Sequence, residues 1–248
     1  MKLLLLILFL ICGTAKAENF ALYNMSTALM TASQSKDEVV PIASITKLFT
    51  AVAIIESGVD LEEKVKVQGR NTGKVPLNSM ASRAELLKLM LIASDNRAAD
   101  TLAITFPTGY NKFIEYVNLL ISGIGLQHTV IVEPTGISAK NVSTATELVN
   151  FAWYLRRHDF ITLTSSKAAE SVEFDTLRKK HITLKIKNTN PDINKYNILL
   201  SKTGFTNIAG RCILLLVEYQ NDIYALAILN SKNPKTRSET IQYMIQGR

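Results

Sequence analysis

Cysteine is almost absent: the 248 residues hold two, and only Cys212 lies outside the N-terminal apolar run. A lone thiol within Cys212-Ile213-Leu214-Leu215-Leu216-Val217 forms no internal disulfide. It reads as a buried free cysteine, with stability resting on core size. No Pro/Gly/Ser-rich linker and no internal repeat divides the chain, which excludes a beaded array of domains. The three histidines, His128, His158 and His181, are far apart, lack paired ligand spacing and have no neighbouring cysteine. Neither a metal nor a cofactor is therefore expected. The densest basic cluster, Arg178-Lys179-Lys180, has no interleaved aromatics, so no nucleic-acid partner is expected. The longest apolar run, residues 3–12, is too short for a membrane-spanning helix.

What is present suits a packed globule, with 47% hydrophobic and 20% charged residues. Lys2, the apolar run and the small residues of Ala15-Lys16-Ala17 ahead of Glu18 mark residues 1–17 as a signal peptide. Ile11 stands where lipidation of Cys12 would want a small side chain, which argues against a lipoprotein. Loss of Lys2 and Lys16 takes the net charge from +7 to +5, since no acidic residue precedes Glu18. That basic balance fits a solvated surface or attraction to an anionic polymer such as cell wall.

Residues 18–248 read as one domain. Phe20-Ala21-Leu22-Tyr23 and Ala28-Leu29-Met30 predict an opening hairpin around Asn24 to Thr27. Apolar residues at Ile45, Leu48, Phe49, Val52 and Ile55 predict a helix over residues 44–57, stopped by Gly58. Ser82 and Glu85 have capping-box spacing ahead of a strongly apolar helix, and residues 96–105 and 110–120 continue a helical middle. Residues 182–186, 198–202, 213–217 and 224–229 read as strands of one antiparallel sheet, which the opening hairpin can join. Residues 238–246 close the chain as a helix.

Ser44-Ile45-Thr46-Lys47 puts a hydroxyl and an amine on one helix face, where they can touch. A serine needs a base to attack a carbonyl, and a partly buried lysine can supply one, beside the positive end of the helix. Alone, the pair is commonly a surface accident. Here it opens an apolar helix, where lysine is an odd packing choice. Ser94-Asp95-Asn96 reads blandly as a capping turn. Functionally, Ser94 is a relay between Lys47 and a leaving amine, and Asn96 holds Lys47 and substrate backbone. Lys202-Thr203-Gly204 reads blandly as a strand end. Functionally, Lys202 and Thr203 favour an anionic substrate terminus, Gly204 admits substrate backbone, and the Phe205 N–H is an oxyanion donor.

The three triplets in this order form the set shared by penicillin-binding proteins and class A β-lactamases. With Pro41-Ile42-Ala43-Ser44-Ile45-Thr46-Lys47-Leu48, Val132-Glu133-Pro134-Thr135-Gly136-Ile137-Ser138, Asn141-Val142-Ser143-Thr144 and Ser201-Lys202-Thr203-Gly204-Phe205-Thr206, the chain resembles the low-molecular-mass penicillin-binding proteins. These are the D-alanyl-D-alanine carboxypeptidases of serine peptidase family S11, and the resemblance is strongest to their endopeptidase branch, penicillin-binding protein 7. It covers nearly all of residues 18–248. It implies a mixed α/β, transpeptidase-like fold: an antiparallel sheet flanked by helices beside a helical lobe, with the active site between them. It also implies Ser44 as the acylated nucleophile, Lys47 as base, Ser94 and Asn96 completing the site, and Lys202 binding substrate.

The function so implied is hydrolysis of peptidoglycan peptide cross-links, with β-lactams as covalent inhibitors, in the periplasm. Arg248 ends the chain without the β domain and amphipathic anchor of many relatives, so no stable membrane anchor is expected once the signal is cleaved. A carboxypeptidase removing terminal D-alanine shares every motif. A β-lactamase shares the triplets, and a catalytically silent wall-binding module would suit the basic charge. Glu147-Leu148-Val149-Asn150 imitates a deacylation loop, but Thr144 and Glu147 have capping-box spacing, so a helix start and slow deacylation after penicillin are expected. Trp153 and the tyrosines are expected in the core or lining the cleft.

Overall fold

The computed structural model describes residues 18–246. The signal-peptide assignment at residues 1–17, with Cys12, lies outside them. Among the described residues no helix is long and apolar enough to cross a membrane.

The chain opens on the expected hairpin, β1 (Asn19–Asn24) and β2 (Leu29–Gln34). Strand β3 (Val40–Pro41) then leads through a 3-10 turn (Ala43–Ile45) into α1 (Thr46–Glu56). Strands β4 (Lys64–Lys66) and β5 (Met80–Ser82) precede three helices, α2 (Arg83–Ile92), α3 (Asn96–Ile104) and α4 (Tyr110–Ile124). Strand β6 (Val142–Ser143) is followed by α5 (Ala145–Leu155) and α6 (Asp159–Ser165). The last stretch runs β7 (Ala169–Asp175), β8 (His181–Lys187), β9 (Asn197–Thr206), β10 (Gly210–Tyr219), β11 (Asp222–Ser231) and α7 (Pro234–Gln246).

Five strands form the main antiparallel sheet in the order β2-β1-β11-β10-β9. Its centre is apolar on both faces. Along β10, Cys212, Leu214 and Leu216 join the main core, while Ile213, Leu215 and Val217 pack in a second cluster with Ile241 of α7. Period-2 alternation thus sends an unbroken apolar run into two cores, as a sheet covered on both sides requires. Cys212 is fully buried and unpaired.

Helix α1 is buried at every position from Thr46 to Ile54, so it forms the middle of the molecule and not its rim. Phe49 stacks on Phe151 of α5 with ring centroids 3.9 Å apart. The Gly58 N–H closes the helix on Ile55 O, and Gly58 has φ +71°. Two expected caps are in place. Ser82 Oγ accepts from Glu85 N at 3.2 Å, and Thr144 Oγ1 accepts from Glu147 N at 3.0 Å. Each such cap stabilises its helix by about 1 kcal/mol.

Two expectations are corrected. Residues 182–186 do not join the main sheet: β8 pairs with β7 in a second sheet of order β4-β5-β7-β8. The cause is legible in β8 itself, where Ile182, Leu184 and Ile186 alternate with Thr183, Lys185 and Lys187, a pattern for a sheet wet on one side. Its partner β7 buries only Val172 and Phe174, too few apolar residues to stand out in sequence. Trp153 is neither core nor cleft; it is 54% exposed on the outer side of α5. Tyr23, Tyr110, Tyr116 and Tyr154 do pack, partly buried, against the core.

Candidate active site

The 3-10 turn ahead of α1 holds Ser44 between two distant segments. Ala43 has φ +47°, a left-handed conformation that costs a residue with a Cβ roughly 1–2 kcal/mol. Contacts from both sides sustain it. A Cβ on Gly136 would lie 1.9 Å from Ala43 O, and one on Gly204 would lie 2.7 Å from Ser44 N. Only glycine permits either approach, and Gly136 itself has φ +86°. Ile42 N donates to Asn141 O at 3.0 Å and completes the clamp.

Lys47, one turn on, is fully buried. Its Nζ lies 3.0 Å from Ser44 Oγ and 2.7 Å from Asn96 Oδ1, and it also contacts Thr135 O closely. These acceptors match the three protons of an ammonium, while a neutral amine in the same place can accept the Ser44 proton. Burial drives its pKa from 10.5 to about 7, against the opposing pull of Glu133, Asp95 and Asp100.

The Ser94-Asp95-Asn96 break is the capping turn read from the sequence, and two of its side chains also reach the buried lysines. Asp95 caps α3, accepting from Ala98 N at 2.9 Å and Lys74 N at 2.6 Å. Ser94, at φ +56°, and Asn96 turn towards the lysines. The expected partnership of Ser94 is different, however: its Oγ accepts from Lys202 Nζ at 2.8 Å, and Lys47 reaches Asn96 instead. Lys202 is also buried, and it donates to Thr203 O at 2.8 Å. Burial and then the charge of Lys47 hold its pKa well below the usual lysine value.

Strand β9 is an edge of the main sheet and carries Lys202, Thr203, Gly204 and Phe205 past Ser44. Thr203 Oγ1 meets Thr189 Oγ1 at 2.6 Å. Phe205 is half exposed, with the Arg211 guanidinium 4.6 Å above its ring. Phe205 and Arg211 are register partners, and Thr203 pairs with Ile213, so all four side chains share the face covered by α7. On that side the Nε atoms of Arg211 and Arg237 are buried without a partner. Burial lowers the Arg237 pKa, Asp192 opposes this, and Arg211 adds to it.

Sequence reasoning missed this arginine pair, because Arg237 lies in α7, far from any motif. It also assigned no role to Glu133. That carboxylate accepts from the N–H groups of Thr135 (2.7 Å), Gly136 (2.6 Å) and Ser138 (3.2 Å), from Thr135 Oγ1 (2.6 Å) and from Asn141 Nδ2 (2.8 Å). It thereby fixes the loop whose Thr135 carbonyl faces Lys47. A carboxylate inside a Pro-Thr-Gly turn was the available signal. Beside this loop lies a cavity of about 570 Å³ lined by Arg70, Asn71, Asp100, Tyr110, Glu133 and Ser138. Burial raises the Asp100 pKa there.

Residues 12–233 match the family model of peptidase S11, D-alanyl-D-alanine carboxypeptidase. The chain belongs to the S11 family. Among S11 relatives, the D-alanyl-D-alanine endopeptidases of Pseudomonas aeruginosa and Escherichia coli are each 36% identical over 217 residues, which is 84% of this chain and 69% of theirs. The D-alanyl-D-alanine carboxypeptidase DacF of Bacillus subtilis is 24% identical over 243 residues, covering 93% of this chain and 61% of its own. The crystal structure of the Streptomyces K15 DD-transpeptidase superposes with a TM-score of 0.86 at 20% identity, over 92% of this chain and 95% of that one. Cefotaxime-bound penicillin-binding protein D2 of Listeria monocytogenes gives 0.79 at 22% identity over the same shares. The fold is thus the DD-transpeptidase fold, mixed α/β with a helical lobe, as the sequence implied.

Proposed function

We propose that this S11 member is a serine-type D-alanyl-D-alanine endopeptidase that hydrolyses peptidoglycan cross-links through an acyl-enzyme at Ser44. The observation that carries the reading is the fully buried Lys47 amine, 3.0 Å from Ser44 Oγ, with a pKa near 7. An amine of that pKa is half neutral at neutral pH and able to take a proton, which an ordinary lysine is not.

In this mechanism Lys47 Nζ takes the Ser44 proton as Oγ bonds to the D-alanyl carbonyl carbon. The N–H groups of Ser44 and Phe205 receive the oxyanion. Lys47 then gives the proton to the leaving nitrogen, with Ser94 held beside the site by Lys202, and the C–N bond breaks to leave the acyl-serine. Water then attacks that ester, with Lys47 again as base. Asn96 orients Lys47 throughout. The substrate carboxylate next to the scissile bond is received by Lys202 and Thr203, and the unpaired Nε atoms of Arg211 and Arg237 support a positive field on that side. Residues 1–17 direct export to the periplasm and are removed, leaving 18–248 as the working domain.

Intact mass after incubation with penicillin tests the chemistry: wild type gains one adduct and Ser44→Ala gains none. An adduct on Ser44→Ala would refute the nucleophile. Digestion of purified cross-linked dimers against free pentapeptides tests the leaving group. Loss of terminal D-alanine alone would replace the endopeptidase reading with the carboxypeptidase one.

A further inference from the structure

A groove of about 820 Å³ lies away from Ser44 and shares none of the site's residues. Its lining comes from Tyr23 and Met25 at the end of β1, Ile124 at the end of α4, and Trp153, Arg156 and Arg157 around the end of α5. Trp153 is 54% exposed, a large apolar area for a side chain with no packing role. Arg156 sits 4.8 Å from the Trp153 ring centroid, and Arg157 lies 3.6 Å over Tyr154. Both arginines are exposed, and among the described residues neither forms an ion pair. The nearby carboxylate, Glu56, is occupied instead by the Tyr154 hydroxyl and by His158.

An exposed indole flanked by unpaired guanidiniums is suited to one kind of surface: flat, partly apolar and anionic. Sugar rings stack on aromatic faces through their C–H groups, and guanidiniums pair with carboxylates. The position relative to the site also matters. Helix α5 starts beside Asn141, which bonds Thr46 and Glu133 at the site, and Trp153 follows Ala145 by about 12 Å of helix. The groove shares no residue with the site, so a single substrate that engages both has to be a polymer.

We infer that the Trp153 groove is an exosite for a peptidoglycan strand, stacking its sugars on Trp153 and pairing its stem-peptide carboxylates with Arg156 and Arg157. The inference rests on the proposed action on peptidoglycan and adds a second point of attachment. Charge complementarity selects this occupant: a basic groove on a basic chain meets a polymer that carries carboxylates along its length.

The test uses residues 18–248 carrying Ser44→Ala, so that the polymer survives, and measures cosedimentation with intact sacculi. Trp153→Ala should weaken retention about thirtyfold, the loss expected of an aromatic hot spot, and Trp153→Tyr should restore part of it. Arg156→Ala/Arg157→Ala should weaken retention on intact sacculi and leave binding to the soluble glycan strands released by amidase unchanged. In the Ser44 background, all variants should be acylated by penicillin and cleave soluble dimers at the wild-type rate. Unchanged retention in Trp153→Ala overturns the exosite, as does slower cleavage of soluble dimers, which would tie the groove to the catalytic site. Retention of wild type without any acylation or dimer cleavage would instead refute the proposed activity and leave the exosite standing.

Discussion

Lys47 and Lys202 are buried so near one another that the charge of the first depresses the pKa of the second. Their acceptors do not overlap: Lys47 bonds Ser44, Asn96 and Thr135, while Lys202 bonds Ser94 and its own strand. Two amines held in dry surroundings with so few compensating charges cannot both remain protonated cheaply at neutral pH. The first three experiments below follow from that competition.

Penicillin acylation should rise with pH and level off above about 7, where Lys47 is neutral. Stability follows the same group. Its folded pKa, about 7, lies below the ordinary 10.5, so between these values the unfolded chain binds the extra proton and Lys47 makes stability increase with pH. Urea titrations across pH 7 to 10 on wild type and Lys47→Met should differ in slope by up to about 1.4 kcal/mol per pH unit. Equal slopes would contradict the depressed pKa.

An anionic ligand arriving beside Lys202 should raise its pKa and draw a proton from solution. Calorimetry of penicillin binding to Ser44→Ala, in buffers of different ionisation enthalpy, should register proton uptake at some pH below the ordinary lysine range, because burial and Lys47 lower the Lys202 pKa. Lys202→Ala should bind more weakly and lose the uptake. Binding with no proton linkage in Ser44→Ala with Lys202 intact would mean that Lys202 is already charged.

Glu133→Gln should act in two ways. It sets a side-chain amide against loop N–H groups that now point at a carboxylate, at a cost of about 2–4 kcal/mol. It also removes an influence that raises the Lys47 pKa, so the pH midpoint of acylation should move down. Thermal unfolding and a pH–rate profile separate the two effects.

Gly136→Ala should be among the most damaging single methyl additions, since its Cβ would meet Ala43 O at 1.9 Å and the backbone is left-handed. A loss of about 3 kcal/mol or more and abolished acylation are expected. By contrast, Gly58→Ala, where nothing lies within 4 Å of the added carbon, should cost only the φ penalty, about 1 kcal/mol, and keep full acylation.

Cys212 should be inert. Burial pushes its thiol up to about 12, so iodoacetamide should label it only after denaturation.

The chemistry-bearing triplets were readable because each is local: Ser44 and Lys47 are one helical turn apart, and the Asp95 cap dictates where Ser94 and Asn96 turn. Helix caps at Ser82 and Thr144 were readable for the same reason. What escaped depends on long-range pairing. Nothing near Arg237 announces that α7 will lay it beside Arg211, and the weak alternation of β7 gives β8 no visible partner. Trp153 escaped differently: in sequence an indole on an amphipathic helix looks like core, and only the packed structure shows it facing outward.

The turn at Ala43 rests on Gly136 and Gly204, residues contributed by a mid-chain loop and by a late strand. Ser44, the proposed nucleophile, therefore acquires its setting only when segments some 90 and 160 positions downstream have docked, which would make it a reporter of completed assembly. A partly folded chain would be chemically silent, and a covalent penicillin label would count native molecules one by one.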